Sequence, residues 1–121
     1  ANWRRALLEG ITPFITGDGE QRRDMVYVDD VVSANIHCME YAERFDGQVF
    51  DVGTGDNISL NQVREVVQVY HDVEFDYVDP RPGEVATTCA DISLLEKYGW
   101  TAAVTIPEGM HKCFNFVKPK E

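Results

Sequence analysis

Along this chain, short β-prone runs alternate with segments of helical hydrophobic spacing, and glycine or proline separates most neighbours. That alternation constrains the fold more than any composition figure, because each strand and each amphipathic helix must bury a face against another element. It predicts an α/β domain of α+β-like character, with a small mixed sheet and flanking helices. At 121 residues the chain is a single domain, residues 1–121, long enough to bury most of its surface in one core.

The pattern places the elements. Ala1 to Leu8 reads as a helix closed by Gly10, and Thr12 to Thr16 as an extended piece stopped by the turn Gly17-Asp18-Gly19. Arg23 to Val28 is strand-like. Asp29 or Asp30 is expected to cap a helix whose apolar positions are Val32, Ile36 and Met39, beside Val31 and Cys38, with Gly47 beyond its end. Gln48 to Val52 reads as a buried strand broken by Gly53-Thr54-Gly55. Ser59 and Gln62 form a capping box ahead of Leu60, Val63, Val67 and Tyr70 at helical spacing. Glu74 to Val78 is a further strand, and Pro80-Arg81-Pro82-Gly83 a stiff loop that excludes helix. Asp91 heads a short helix through Leu94, Leu95 and Tyr98 to Gly99. Pro107 opens a last helix with Ile106, Met110, Phe114 and Val117 on one face.

The net charge of −10 argues against nucleic acid and anionic membrane surfaces as partners. No apolar run is long enough for a transmembrane helix. Cys38, Cys89 and Cys113 are odd in number and widely spaced, which reads as reduced thiols in a cytoplasmic protein. The opening ANWRRALLEG has no initiator Met and no upstream cap, and reads as the interior of a larger protein.

Several motifs do not carry chemistry. DVGTGDNISL holds Gly-x-Gly between a strand and a helix, but Ile58 stands where a dinucleotide fingerprint needs its third glycine. It reads as a strand-to-helix turn rather than a cofactor site. His37-Cys38 and His111-x-Cys113 do not build a four-ligand metal site. No serine sits in a nucleophile elbow. No catalytic, cofactor-binding or metal-ligating residue is therefore assigned in this chain.

The arginines of GDGEQRRDMVYVDDV are more informative in so acidic a chain. Adjacent side chains of an extended segment point to opposite faces, so Arg22 and Arg23 cannot serve one ligand. A surface pair with Asp18, Glu20 or Asp24 contributes roughly 0–1 kcal/mol. A charge-assisted bond to a phosphate contributes about 1.5–3 kcal/mol. Arg81, fixed by Pro80, Pro82 and Gly83 with Glu84 just beyond, suits the second reading: two guanidiniums in shaped loops can each grip one phosphate of a diphosphate.

Together the blocks GDGEQRRDMVYVDDV, VFDVGTGDNISL, DPRPGE and ADISLLEKYGW resemble, in order and spacing, the C-terminal half of nucleotide-sugar epimerases and dehydratases. These are extended short-chain dehydrogenase/reductases, and the likeness runs from about Leu8 to the last helix. The resemblance implies the C-terminal substrate domain of such an enzyme without its Rossmann domain. It implies that Arg23 and Arg81 bind the nucleoside diphosphate and Glu84 the ribose hydroxyls. It also implies that Phe14, Ile15 and Thr16 meet the base through their backbone, and that Arg22 is left as surface charge. Met25 and Ala103 depart from the family pattern, at positions that bear on packing.

The family's Gly-x-x-Gly-x-x-Gly and Tyr-x-x-x-Lys are absent: four residues after Tyr27, Tyr41, Tyr70, Tyr77 and Tyr98 stand Val31, Phe45, Glu74, Arg81 and Ala102. The resemblance therefore implies NAD or NADP in the parent enzyme but none in this chain. It implies a nucleotide-sugar substrate and an N-terminal Rossmann domain as partners. An apolar face left without that domain would favour self-association. The alternative is a non-enzymatic binding or interaction module derived from the family.

Overall fold

The computed structural model describes residues 2–116, and the last-helix position Val117 lies outside them. In chain order the described elements are α1 (Asn2–Glu9), β1 (Phe14–Thr16), β2 (Arg22–Arg23), α2 (Val28–Glu40) and β3 (Ile58–Ser59). They continue with α3 (Leu60–Tyr70), β4 (Asp76–Val78), α4 (Ser93–Lys97) and α5 (Ile106–Phe114). The class is mixed α/β, as the alternation predicts. The sheet, however, is divided. β1 pairs in parallel with β4, Phe14 to Thr16 opposite Asp76 to Val78. β2 pairs antiparallel with β3, Arg22 opposite Ser59 and Arg23 opposite Ile58.

Two apolar clusters hold these pieces. Leu7, Ile15, Ile58, Val63, Val67, Phe75, Ile106 and Phe114 form the larger one, between α1, both ribbons, α3 and α5. Its α3 contribution follows the predicted spacing, Val63 and Val67 being buried and Leu60 and Tyr70 packing beside them. The capping box is formed as well: Gln62 N donates to Ser59 Oγ at 3.2 Å, and Ser59 N donates to Gln62 Oε1 at 3.1 Å. A second box, not read from the sequence, opens α5, where Thr105 and Glu108 bond reciprocally. Its Thr-x-x-Glu spacing, with Pro107 in the first turn, was the available signal.

The smaller cluster joins Ala34, Leu95 and Trp100, with Cys38, Phe50, Val52 and Ala102 against it. Here the predicted strand Gln48 to Val52 is corrected. It forms no strand; Phe50 and Val52 pack on the cluster while Val49 is 82% exposed. The run kept its apolar packing, but among the described residues it has no neighbouring strand to pair with.

α2 also differs from expectation. Neither Asp29 nor Asp30 caps it: Tyr27 is the N-cap, without a side-chain bond. Asp30 is buried inside the first turn and accepts from the N–H groups of Ala103 and Val104 at 2.9 and 3.0 Å, tying α2 to the segment before α5. The buried face is Asp30 and Ala34. The apolar positions Val32, Ile36 and Met39 are instead 51%, 48% and 83% exposed, in line with Val28 at 61%. The helix is apolar on two sides, and this chain covers one of them.

Candidate phosphate and ribose site

Three segments meet at one end of the ribbons. β1 runs into the Gly17-Asp18-Gly19 turn. Gly19 has φ +80°, and a Cβ there would overlap the Asn61 side chain. Asn61 stitches this turn to α3, its N–H donating to Gly19 O and its Nδ2 to Asp18 O, both at 3.0 Å. The reversal returns Gln21 to β1, where Nε2 donates to Thr16 O at 2.7 Å. β2 follows, bearing the two arginines.

The third segment is the proline loop after β4. A turn closes it, Glu84 N donating to Arg81 O at 3.2 Å. Beyond it the chain runs beside β2, with Arg22 N donating to Ala86 O at 2.8 Å and Thr88 N to Arg22 O at 3.0 Å. The loop carrying Arg81 and Glu84 is thus pinned to β1 through β4 on one side and to β2 on the other. Prolines at 80 and 82 stiffen what lies between.

The Glu84 carboxylate is where the segments converge. Its Oε2 accepts from Thr16 Oγ1 at 2.9 Å. Its Oε1 faces Gln21 Nε2 at 3.4 Å and Arg23 Nη2 at 3.6 Å. Arg23 is further held by its Nη1, which donates to Arg22 O at 2.8 Å. Arg81 is exposed and stands on the ridge between two depressions. One is an open cleft of about 800 Å³ that Thr16, Gln21 and Glu84 also line. The other, about 420 Å³, is lined by Trp3, Phe14, Ile15, Thr16 and Leu60 as well. Arg23 lines neither depression and reaches the cleft through Glu84.

β1 presents its edge unevenly. Asp76 N donates to Pro13 O at 3.0 Å and Gly17 N to Val78 O at 2.8 Å, so the odd-numbered residues turn their polar groups toward β4. Ile15 follows that parity, and its side chain is 1% exposed in the core. Phe14 and Thr16 face the other way. There the Trp3 indole takes Phe14 O at 3.0 Å and Gln21 takes Thr16 O, so the N–H groups of Phe14 and Thr16 are what that edge offers a ligand.

Arg22 is not a surface charge. Its Nε donates to Asn57 Oδ1 at 2.6 Å, its Nη2 to Asn57 O at 2.9 Å and its Nη1 to Gln62 Oε1 at 3.4 Å. Strand parity does send the two arginines opposite ways, but both sides are lined by protein. Sequence reasoning also missed Asp24. Its carboxylate accepts from Thr54 N at 3.0 Å, Thr54 Oγ1 at 2.7 Å, Gly55 N at 3.0 Å and Ala90 N at 3.2 Å. This knot ends the predicted strand Arg23 to Val28, of which only Arg23, with Arg22 before it, is paired. It also decides what the Gly53-Thr54-Gly55 turn can do. The N–H groups of Thr54 and Gly55 that a pyrophosphate would need are already bonded to Asp24, so a nicotinamide dinucleotide does not fit this chain's own glycine turn.

The chain is similar throughout to known proteins. The signature of the NAD dependent epimerase/dehydratase family matches residues 1–53. A putative UDP-glucose 4-epimerase from Methanocaldococcus jannaschii is 33% identical over 93% of this chain and 36% of its own. The crystal structure of UDP-glucose 4-epimerase with UDP-glucose from Thermotoga maritima is 37% identical with a TM-score of 0.77, over 91% of this chain and 36% of that one. MoeE5, solved in complex with UDP-glucuronic acid and NAD, is 33% identical with a TM-score of 0.78, over 90% and 37%. In sequence and fold the chain is similar to part of the NAD-dependent nucleotide-sugar epimerases and dehydratases. It spans a little over a third of the length of these relatives. Among the described residues no helix is long and apolar enough to cross a membrane.

Proposed function

We propose that this chain is the C-terminal substrate-binding part of an NAD-dependent nucleotide-sugar epimerase or dehydratase, working in the cytoplasm. Arg81 and Arg23 hold the diphosphate, Glu84 accepts from the ribose hydroxyls, and the edge of β1 at Phe14 and Thr16 meets the base. Hydride chemistry belongs to a Rossmann domain supplying the dinucleotide turn and the Tyr-x-x-x-Lys pair that this sequence lacks. The observation that carries the reading is the convergence on Glu84 of β1, the Gln21–Arg23 segment and the proline loop, with Arg81 on the same cleft.

Calorimetric titration with UDP-, dTDP-, GDP- and CDP-sugars tests it. One family of these is expected to bind the purified chain, and Arg81→Ala to weaken that binding about tenfold or more, the loss of one charge-assisted phosphate contact. Unchanged affinity would remove Arg81 from the site. NAD-dependent epimerisation by the 121-residue chain alone would overturn the division of labour.

The stripe Val28, Val32, Ile36 and Met39 supports a Rossmann domain as the partner that covers α2. Without it the stripe is available to a second copy. The chain is expected to self-associate at high concentration, and Ile36→Glu to return it to a monomer by light scattering. A wild-type chain that stays monomeric at that concentration would count against this use of the stripe.

A further inference from the structure

The site's two recognition groups face each other as a loose ion pair. Arg23 Nη2 and Glu84 Oε1 lie 3.6 Å apart, with both side chains only 25% exposed. Each group is fastened at its other end. Thr16 holds Glu84 by Oε2 at 2.9 Å, and the Arg22 carbonyl holds Arg23 by Nη1 at 2.8 Å. The shared contact is the loosest in the set. Parting it need not move either anchor, because it uses the oxygen and the nitrogen that the anchors leave over.

We propose that Arg23 and Glu84 form an exchange pair that couples recognition of phosphate to recognition of a sugar hydroxyl. This rests on the nucleotide-sugar reading and adds a selectivity to it. A phosphate oxygen that engages Arg23 Nη2 displaces Glu84 Oε1, which then lacks its guanidinium donor. A vicinal diol on the same ligand supplies that donor. A ligand bearing phosphate and hydroxyls in register satisfies both groups, whereas a bare diphosphate frees Arg23 and leaves Oε1 with only the long contact from Gln21. Glu84 therefore works against anions that lack the diol, in addition to accepting from those that have it.

The test compares inorganic pyrophosphate, the anion alone, with UDP, which carries anion and diol, by calorimetric titration of the 121-residue chain. Glu84→Gln is expected to tighten pyrophosphate roughly three- to fivefold, the worth of a partly exposed ion pair. UDP is expected to gain nothing, since the same change weakens the hydroxyl acceptor. Asp79→Asn removes one charge from the same cleft without touching Arg23, and should change pyrophosphate binding less. In an Arg23→Ala background the gain from Glu84→Gln should vanish. Equal gains for both ligands, an equal gain from Asp79→Asn, or a gain that survives Arg23→Ala would overturn the exchange pair while leaving the nucleotide site standing. A folded wild-type chain that binds neither UDP nor pyrophosphate would remove the site itself.

Discussion

Asp24→Ala is expected to cost the fold about 3 kcal/mol, since it strips the acceptor from three backbone N–H groups and the Thr54 hydroxyl at once. The loss should depend on pH in a defined way. Burial pushes the Asp24 carboxyl up, but the bonds from Thr54, Ala90 and Gly55 outweigh it and leave the group below its ordinary value of 3.8. A carboxyl depressed in the folded state stabilises the fold above its unfolded pKa, and that contribution is lost as pH falls through the folded value. The stability gap between wild type and Asp24→Ala, read by urea unfolding, should therefore be level from neutral pH down to about 4 and close only below that. A gap already shrinking between pH 7 and 5 would mean that the carboxylate is not held by these donors. The change should also reach the ligand site, because Asp24 fixes the residue after Arg23 to the 53–55 and 90 segments.

How much of this was legible beforehand depends on what decides each element. α3 is set by local rules: its cap, its spacing and its buried face all follow from residues within one stretch, and Ser59, Gln62, Val63 and Val67 behave as read. α2 is set by what lies around it. Its apolar residues cover two sides, and periodicity alone cannot say which side this chain buries; the buried one turns on Asp30 and Ala34. The runs Gln48 to Val52 and Arg23 to Val28 have strand composition, but a strand needs a partner edge. The first has none among the described residues, and the second is diverted by Asp24. For the site, spacing and motif resemblance pointed to Arg23, Arg81 and Glu84. The contacts that aim Glu84 come from Thr16 and Gln21, whose roles depend on how the Gly17-Asp18-Gly19 turn folds back, a property of tertiary structure rather than of any short motif. Arg22 was misread for a related reason. Its partner Asn57 is 35 residues away in sequence.

Gly53→Ala should be nearly as damaging, by about 2–3 kcal/mol, for want of space rather than of backbone freedom. Gly53 is not among the glycines of positive φ, so an alanine could take its backbone conformation. Its Cβ, however, would sit 2.4 Å from Ala90 Cβ and 2.7 Å from Asp24 Oδ2. Ala90 Cβ has no rotamer with which to move aside. Relief requires the 53–55 turn to separate from the segment at 90, which lengthens the bonds that Asp24 makes to both. The contrast is Gly47, with φ +69° and nothing within 4 Å of a built Cβ, where replacement meets only left-handed backbone strain of roughly 1–2 kcal/mol. Two further variants separate these causes. Ala90→Gly removes the nearer obstacle and should restore part of the loss at Gly53→Ala, but not all, because Asp24 Oδ2 remains. With Asp24→Ala already in place, Gly53→Ala should cost less than it does in wild type, since one of the two clashes and the bonds it would break are gone. Strict additivity of the two changes would mean that the tight approach at Gly53 and the Asp24 knot are independent, which contacts this close do not allow.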